Sequence, residues 1–263
     1  MSEKKVRHIL SLSGGKDSSA LAVLMRGKVE GMEYVFCDTD KELKETYEYL
    51  AKLEAFLGKP IVRLNADRGF DHWLKVYGGY LPSSRMRWCT RQLKLKPFEQ
   101  YVGDDEVVSY VGIRADEDRE GYISTKPNIK ARFPFKEQGI DHAGVMRLLE
   151  EAGLGLPEYY KWRTRSGCYF CFFQRKSEWA GLLEHHPELF EEAKKYEKVD
   201  PETGDRYTWA QGESLEELAA PERLTQIRKK DSKPRVVAGK TTLAAVFAGE
   251  QEDEDAACTI CSL

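Results

Sequence analysis

The sequence has no long hydrophobic run. No segment approaches the roughly 20 consecutive apolar residues that span a bilayer, so no membrane association is expected. The opening stretch MSEKKVRHILSLSGG lacks the layout of a signal peptide, because its apolar part is short and leads into glycines. The expectation is a cytoplasmic protein. Positive charge is not in excess. Lys plus Arg number 41 against 44 Asp plus Glu, a net charge of −3, which argues against a chain that coats nucleic acid non-specifically. Cysteine is sparse at six residues. In a cytoplasmic chain these are metal ligands or reactive thiols rather than disulfides. The five histidines show no metal spacing to them, and there are no internal repeats. What is present is an ordinary soluble balance, 41% hydrophobic and 32% charged, which excludes disordered and collagen-like chains. At 263 residues the chain can bury a core without disulfides.

Hydrophobic patterning predicts a strand over Val6–Leu12, a helix from Ser18 to about Val29 and a strand over Glu33–Cys37. Thr39 and Glu42 have capping-box spacing before a helix that runs to Leu57, where Gly58 stops it. Pro60–Asn65 reads as a third strand. Alternating strands and helices mean parallel βαβ units with helices on the sheet faces. Cys37, ending an inner strand, reads as a core residue. Further on, Arg91–Tyr101 reads as helical with an interruption near Pro97. Val107–Ile113 reads as a strand, Asp141–Ala152 as an amphipathic helix, and Glu178–Lys198 as a long helix bent at Pro187. Residues 200–207 form a turn between extended pieces, and Ser214 and Glu217 have capping-box spacing. The expected division is a nucleotide-binding α/β domain over 1–160, a mostly helical, cysteine-containing part over 161–243, and a flexible acidic tail with CxxC over 244–263.

Ser13-Gly14-Gly15-Lys16-Asp17-Ser18 lies between the first strand and the first helix. Two glycines let the backbone turn sharply and approach an anion. The helix that follows points free N–H groups at that anion, and Lys16 adds a point charge. The spacing is not that of the GxxxxGK[ST] loop of ordinary NTPases.

SGGKDSSA resembles the PP-loop of the ATP pyrophosphatase superfamily, also called adenine nucleotide α-hydrolase-like. The resemblance implies an α/β fold, a parallel five-stranded sheet flanked by helices, here with a mainly helical C-terminal extension. It implies ATP with Mg²⁺ over the loop, and chemistry at the α-phosphate with release of pyrophosphate. Downstream, Arg87-Trp88-Cys89-Thr90 with Leu93, Lys94 and Pro97 resembles a stretch of phosphoadenosine phosphosulfate (PAPS) reductases. So does Gly112-Ile113-Arg114-Ala115-Asp116-Glu117 with Arg119. On this resemblance Lys16, Asp17 and Arg114 are the expected catalytic residues. Ser11, Ser13, Gly14, Gly15, Lys16, Asp17, Ser18, Asp38, Gly112, Arg114 and Arg119 are the expected nucleotide contacts. Asp38 has the alternative role of a helix cap. Asp116, Glu117 and Asp118 hold Mg²⁺ or orient the arginines.

The Glu-Cys-Gly nucleophile motif of PAPS reductases is missing, and Gly167-Cys168-Tyr169-Phe170-Cys171 stands as an extra paired-cysteine segment. The pattern is closer to the ATP pyrophosphatase component of DNA phosphorothioation systems. That resemblance implies a bacterial defence setting, a 4Fe–4S iron–sulfur cluster, DNA backbone as substrate, a cysteine desulfurase as sulfur donor and further proteins of a sulfur-modification complex. A homo-oligomer is also open. A 4Fe–4S cluster takes four thiolates, and Cys89, Cys168, Cys171 and Cys261 are the expected ligands, the fourth place being open also to Cys258 or to a substrate or sulfide on an open iron. Zinc, or thiols without metal, remain alternatives for the first three, and Cys258 with Cys261 could form a mobile dithiol.

Residues 83–98 carry Arg85, Arg87, Arg91, Lys94 and Lys96 without an acid, and residues 161–176 carry Lys161, Arg163, Arg165, Arg175 and Lys176, again without one. Clustered arginines suit phosphate or sulfate. Interleaved Trp88, Tyr160, Trp162, Tyr169, Phe170, Phe172 and Phe173 could stack bases. The expected function is adenylation of a DNA backbone oxygen for sulfur insertion. The alternatives are a PAPS or adenylylsulfate reductase and a non-catalytic nucleotide-sensing subunit.

Overall fold

The computed structural model describes residues 6–118 and 126–231. They fall into two compact units. The first takes the chain up to Gly79 and from Met86 to Tyr169, and the second takes Tyr80–Arg85 and the chain from Phe170. The first unit therefore runs on past residue 160, where the sequence reading divided the chain. The expected tail, 244–263, lies outside the described residues.

In the first unit β1 (Arg7–Leu12), α1 (Lys16–Met25), β2 (Met32–Asp38), α2 (Lys44–Leu57) and β3 (Ile61–Asn65) alternate. After α3 (Phe70–Val76) come α4 (Trp88–Thr90), a π-helical turn over Arg91–Leu95 and α5 (Lys96–Val102). Then follow β4 (Val107–Tyr110), β5 (Ile129–Arg132), α6 (Pro134–Glu137) and α7 (His142–Glu151). The five strands form one parallel sheet in the order β3-β2-β1-β4-β5. Side chains alternate across it. Leu10, Leu12, Tyr34 and Phe36 join Leu21, Leu50, Leu53, Val145 and Leu149 on one face. Ile9, Val35 and Cys37 join Phe98, Val102 and Ile129 on the other. Both faces are covered, which is why β1 and β2 read as continuous apolar runs rather than alternating ones. Fully burying one such leucine is worth about 1.5–3 kcal/mol.

Several expected boundaries move. Helix α1 begins at Lys16, not Ser18, and ends at Met25, because Arg26 leaves helical geometry and Gly27 takes φ 72°. Thr39 and Glu42 do not cap α2. Its N-cap is Leu43, without a side-chain bond, and the Thr39 hydroxyl instead donates to the Glu42 carboxylate at 3.0 Å. Gly58 does end α2, in left-handed geometry at φ 66° with its N–H donating to the Glu54 carbonyl. The interruption near Pro97 is the π turn before it. Proline has no N–H to return to the carbonyl four residues earlier, so the ladder widens there. Strand β4 stops at Tyr110. Strand β5 is not evident in the sequence, since Lys130 and Arg132 break its apolar pattern, as suits an edge strand. Asp141 caps α7 by accepting the Gly144 N–H at 2.9 Å.

The second unit is mainly helical. The single long helix expected over Glu178–Lys198 is two, α8 (Lys176–His185) and α9 (Pro187–Lys194), with the break at His186 before the proline. β6 (Lys198–Val199) and β7 (Arg206–Tyr207) form an antiparallel hairpin, followed by α10 (Leu215–Leu218) and α11 (Pro221–Asp231). Trp209 anchors the unit. It stacks on Phe170 at 5.0 Å and donates its indole N–H to the Ala193 carbonyl at 2.9 Å. The Ser214–Glu217 capping box is formed in both directions. Among the described residues no helix is long and apolar enough to cross a membrane.

Candidate functional site

Strand order reverses around β1, which has β2 on one side and β4 on the other. Loops leaving the carboxyl ends of β1 and β4 diverge there, and in open α/β sheets ligands bind in that crevice. The loop after β1 is Ser13–Gly15, and the loop after β4 holds Gly112 and Arg114. Gly14 adopts φ 70°. A Cβ there would lie 2.6 Å from the Thr46 methyl, and a Cβ on Gly15 would lie 2.6 Å from the Ser166 hydroxyl. Gly112 comes so close to α1 that its Cβ would meet the Asp17 carbonyl oxygen at 3.1 Å. These glycines are therefore required by close approach.

The loop is braced from within and from a later segment. The Ser18 hydroxyl accepts the Ser13 N–H at 3.1 Å and donates to the Gly15 carbonyl at 3.3 Å. The Ser166 hydroxyl donates to that of Ser13 at 3.1 Å. Tyr159 donates to the Gly14 carbonyl at 2.8 Å, and the Lys16 N–H donates to the Tyr160 hydroxyl at 3.0 Å. Burial pushes the pKa of both phenols up, so they stay neutral. The Lys16 ammonium lies 5.6 Å from the Tyr160 ring centroid.

Asp17 joins the two charged candidates. One oxygen accepts from Lys16 Nζ at 3.1 Å and the other from Arg114 Nη1 at 3.0 Å. Arg114 also bonds Asp116 at 2.9 Å and Glu117 at 2.7 Å. Burial works against the Arg114 charge, but the three carboxylates outweigh it and its pKa stands above the usual arginine value. Burial likewise works against ionised Asp116, yet the Arg114 bond holds its carboxyl below the usual range. Asp116 and Glu117 are thus both in position to orient the arginine. Asp38, at the end of β2, does not cap α2. Its carboxylate accepts from the Tyr47 hydroxyl at 2.7 Å and the Asp40 N–H at 2.9 Å, fixing the turn after the strand. Ser11 lies inside β1 with its hydroxyl buried and unpartnered. Arg119 lies outside the described residues.

The cysteines divide. Cys37 is buried in the core, as expected, and burial pushes its thiol up to about 11, with Lys94 opposing. Cys89 is half-buried on α4 beside Thr90. Cys168 is half-buried with its sulfur 3.1 Å from the Thr39 hydroxyl and 3.7 Å from the Glu42 carboxylate. Burial lifts the Glu42 pKa above the usual carboxylate range, with Lys94 and Arg163 opposing, and its second oxygen has no hydrogen-bond partner. Arg163, 1% exposed, donates to the Gly167 and Cys168 carbonyls at 3.0 and 2.9 Å and so sets the entry to the CxxC. Cys171 belongs to the second unit, and Cys258 and Cys261 lie outside the described residues. Among the described residues no three of His, Cys, Asp and Glu converge as metal ligands. The described donors therefore do not by themselves fit a cluster.

Of the aromatics expected to stack bases, Trp88 is core. Phe70 packs against it at 5.0 Å and Tyr77 stacks on it at 5.2 Å. Tyr169 and Phe170 are buried too, while Tyr160, Trp162, Phe172 and Phe173 are half-buried. Tyr159, Ser166, Thr39 and Glu42 are site residues that sequence reasoning missed or misread. Only the Thr39–Glu42 spacing gave a signal, and it pointed to a helix cap.

Residues 7–137 match the family described as phosphoadenosine phosphosulfate reductase domain. The chain is 29% identical over 218 residues to an uncharacterized protein of Methanocaldococcus jannaschii, covering 78% of this chain and 43% of that one. It is 30% identical over 222 residues to the tRNA-specific 2-thiouridylase MnmA of Lactococcus lactis, covering 71% of this chain and 57% of MnmA. It is similar in structure to a PAPS reductase from Candida auris, with TM-score 0.49 and 16% identity over 62% of this chain and 82% of that one. The chain spans under half the length of the first two curated relatives it matches. With a PP-loop at the switch point of a parallel five-stranded sheet, residues 7–137 form a domain of the phosphoadenosine phosphosulfate reductase family, within the PP-loop superfamily.

Proposed function

We propose that the chain is an ATP pyrophosphatase of the sulfur-transfer type, acting on an oxygen of the DNA backbone. The observation that carries this reading is Asp17, which holds Lys16 of the loop and Arg114 of the β4 loop together at the switch point. ATP would lie with its β- and γ-phosphates on the loop amides and the first turn of α1. The substrate oxygen attacks the α-phosphorus. The bond from that phosphorus to the β-phosphate oxygen breaks, and pyrophosphate carries the electron pair away. Lys16 and Arg114 stabilise the charge that builds on the transferring group. The outer sulfur of the donor's persulfide then attacks the centre that bears the adenylated oxygen, and that oxygen leaves with AMP; a thiol attacks the resulting S–S bond, leaving the sulfur on the substrate and a disulfide on the donor. A partner cysteine desulfurase is the proposed donor. Asp17, Asp116 and Glu117 are engaged by Arg114, so Mg²⁺ would enter on the phosphate oxygens and supply charge neutralisation.

The relatives named for thiolating tRNA support sulfur transfer to a nucleic acid. The 4Fe–4S cluster expected on Cys89, Cys168, Cys171 and Cys261 stands as a separate proposal, since the described cysteines alone do not gather as its ligands. No step above relies on it, and iron and sulfide analysis after anaerobic purification tests it separately. The main test is pyrophosphate release from ATP and Mg²⁺, with and without DNA and a desulfurase. DNA-stimulated release is expected. The family match favours a second reading, reduction of PAPS or adenylylsulfate. Sulfite release from either, with no pyrophosphate from ATP, would replace the first reading with the second.

A further inference from the structure

The second unit has a cavity of its own, about 600 Å³ in volume, which is within the usual size of small-molecule sites. Its wall is formed by residues 82–85, 172–176, 206 and 208–212, and none of the lining residues is Asp or Glu. Arg85, Arg175, Lys176 and Arg206 bring four cations to it. Carboxylates stand behind the wall. Glu213 bonds Lys176 at 2.8 Å, and Glu217 bonds Arg206 at 2.5 Å. Glu213 also serves Arg223, at 2.7 Å, so one carboxylate is shared between two cations. The lining itself therefore carries four cationic side chains and no carboxylate.

The same wall carries aromatic surface. Phe172 and Phe173 are half-buried, with ring centroids 4.3 Å apart and planes tilted by 38°. A small inorganic anion would use the cations alone, and an apolar ligand would use only the rings. A nucleotide in a single strand uses both, with its phosphate on arginine and its unpaired base against an aromatic face. A duplex keeps its bases stacked inside and has none to offer.

We propose that this cavity binds one nucleotide of a single-stranded DNA, with the phosphate on Arg85 and Arg175 and the base against Phe172 and Phe173. This deepens the preceding reading by naming where the strand is gripped. The test is fluorescence anisotropy of a labelled oligothymidylate with the full chain, titrated over a range of salt. Arg85 is exposed, so Arg85→Ala leaves the fold intact. Arg175 adjoins α8, so its variant is read only alongside a melting curve. Phe172→Leu keeps apolar volume while removing the ring. Each of Arg85→Ala and Phe172→Leu is expected to weaken binding about tenfold, about 1.4 kcal/mol. The arginine variant should also lower the salt slope by about 0.7, one phosphate contact on a single strand.

Unchanged affinity and slope in both variants would overturn the proposal. So would tighter binding of the matching oligoribonucleotide, or full displacement by equimolar thymidine monophosphate. If the wild type binds through these residues yet releases no pyrophosphate, the adenylation reading fails and the cavity reading stands. If DNA stimulates pyrophosphate release while Arg85→Ala and Phe172→Leu bind normally, the cavity reading fails alone.

Discussion

Asp17 and Arg114 form a 3.0 Å ion pair across 97 positions of sequence. The pair ties the first turn of α1 to the loop after β4 and fixes the guanidinium over the crevice. Asp17→Asn removes the charge and keeps the shape. Charge-assisted hydrogen bonds of this kind are worth about 1.5–3 kcal/mol. Nucleotide-dependent pyrophosphate release should fall about 10- to 100-fold. A steady-state assay beside a thermal melt checks this, and an unchanged rate would remove Asp17 from the mechanism.

Gly14 and Gly15 should respond differently to alanine. At Gly15 the backbone is extended, and the obstacle is Ser166, whose hydroxyl would lie 2.6 Å from a new Cβ. Gly15→Ala should weaken ATP binding about tenfold, and Gly15→Ala with Ser166→Gly should recover most of it, a coupling that a double-mutant cycle reads directly. Gly14→Ala should not be rescued by relieving Thr46, because φ 70° disfavours any side chain there. Isothermal titration with a non-hydrolysable ATP analogue distinguishes the two.

The thiols should differ in reactivity. Burial raises Cys37 to about 11, so at pH 8 about a thousandth of it is thiolate, and the thiolate is the nucleophile. Cys89, Cys168 and Cys171 are half-buried. In metal-free protein, iodoacetamide at pH 8 should label these peptides without denaturation and label Cys37 only after it. Peptide mass spectrometry checks the order, and native labelling of Cys37 would contradict the core assignment.

Acid should loosen the second unit through Glu213. The Arg223 bond, with Lys176 assisting, holds its carboxyl down to about 2, from an ordinary 4.5. A depressed carboxylate contributes stability that is present above 4.5 and lost as pH falls towards 2. Glu213→Gln should therefore melt earlier than the wild type at pH 7, with the difference shrinking below pH 4.5. Melting curves followed by tryptophan fluorescence, with Trp209 and Trp179 in the core of that unit, test the sign.

The site was partly legible in the chain. The strand–loop–helix context of Ser13–Ser18 is local, and a local turn with two glycines carries its own signature. Arg114 was legible through its neighbours, but its grip on Asp17 was not. Thr39 and Glu42 show the limit most clearly. Their spacing suits a helix cap, yet both side chains are buried beside the Cys168 sulfur, 129 positions from Thr39.

By itself the sequence determined the first three strands and their helices, the phosphate-type loop, the stop at Gly58 and the core place of Cys37. All of these follow from hydrophobic periodicity and turn chemistry within a few residues. Tertiary structure alone decided the edge strand β5, the bracing of the loop by Tyr159 and Ser166, and the burial of Trp88. The loop braces join residues 145 and 153 positions apart. Such contacts are selected by the packing of the finished sheet and helices, and leave no periodic trace in the residues that make them.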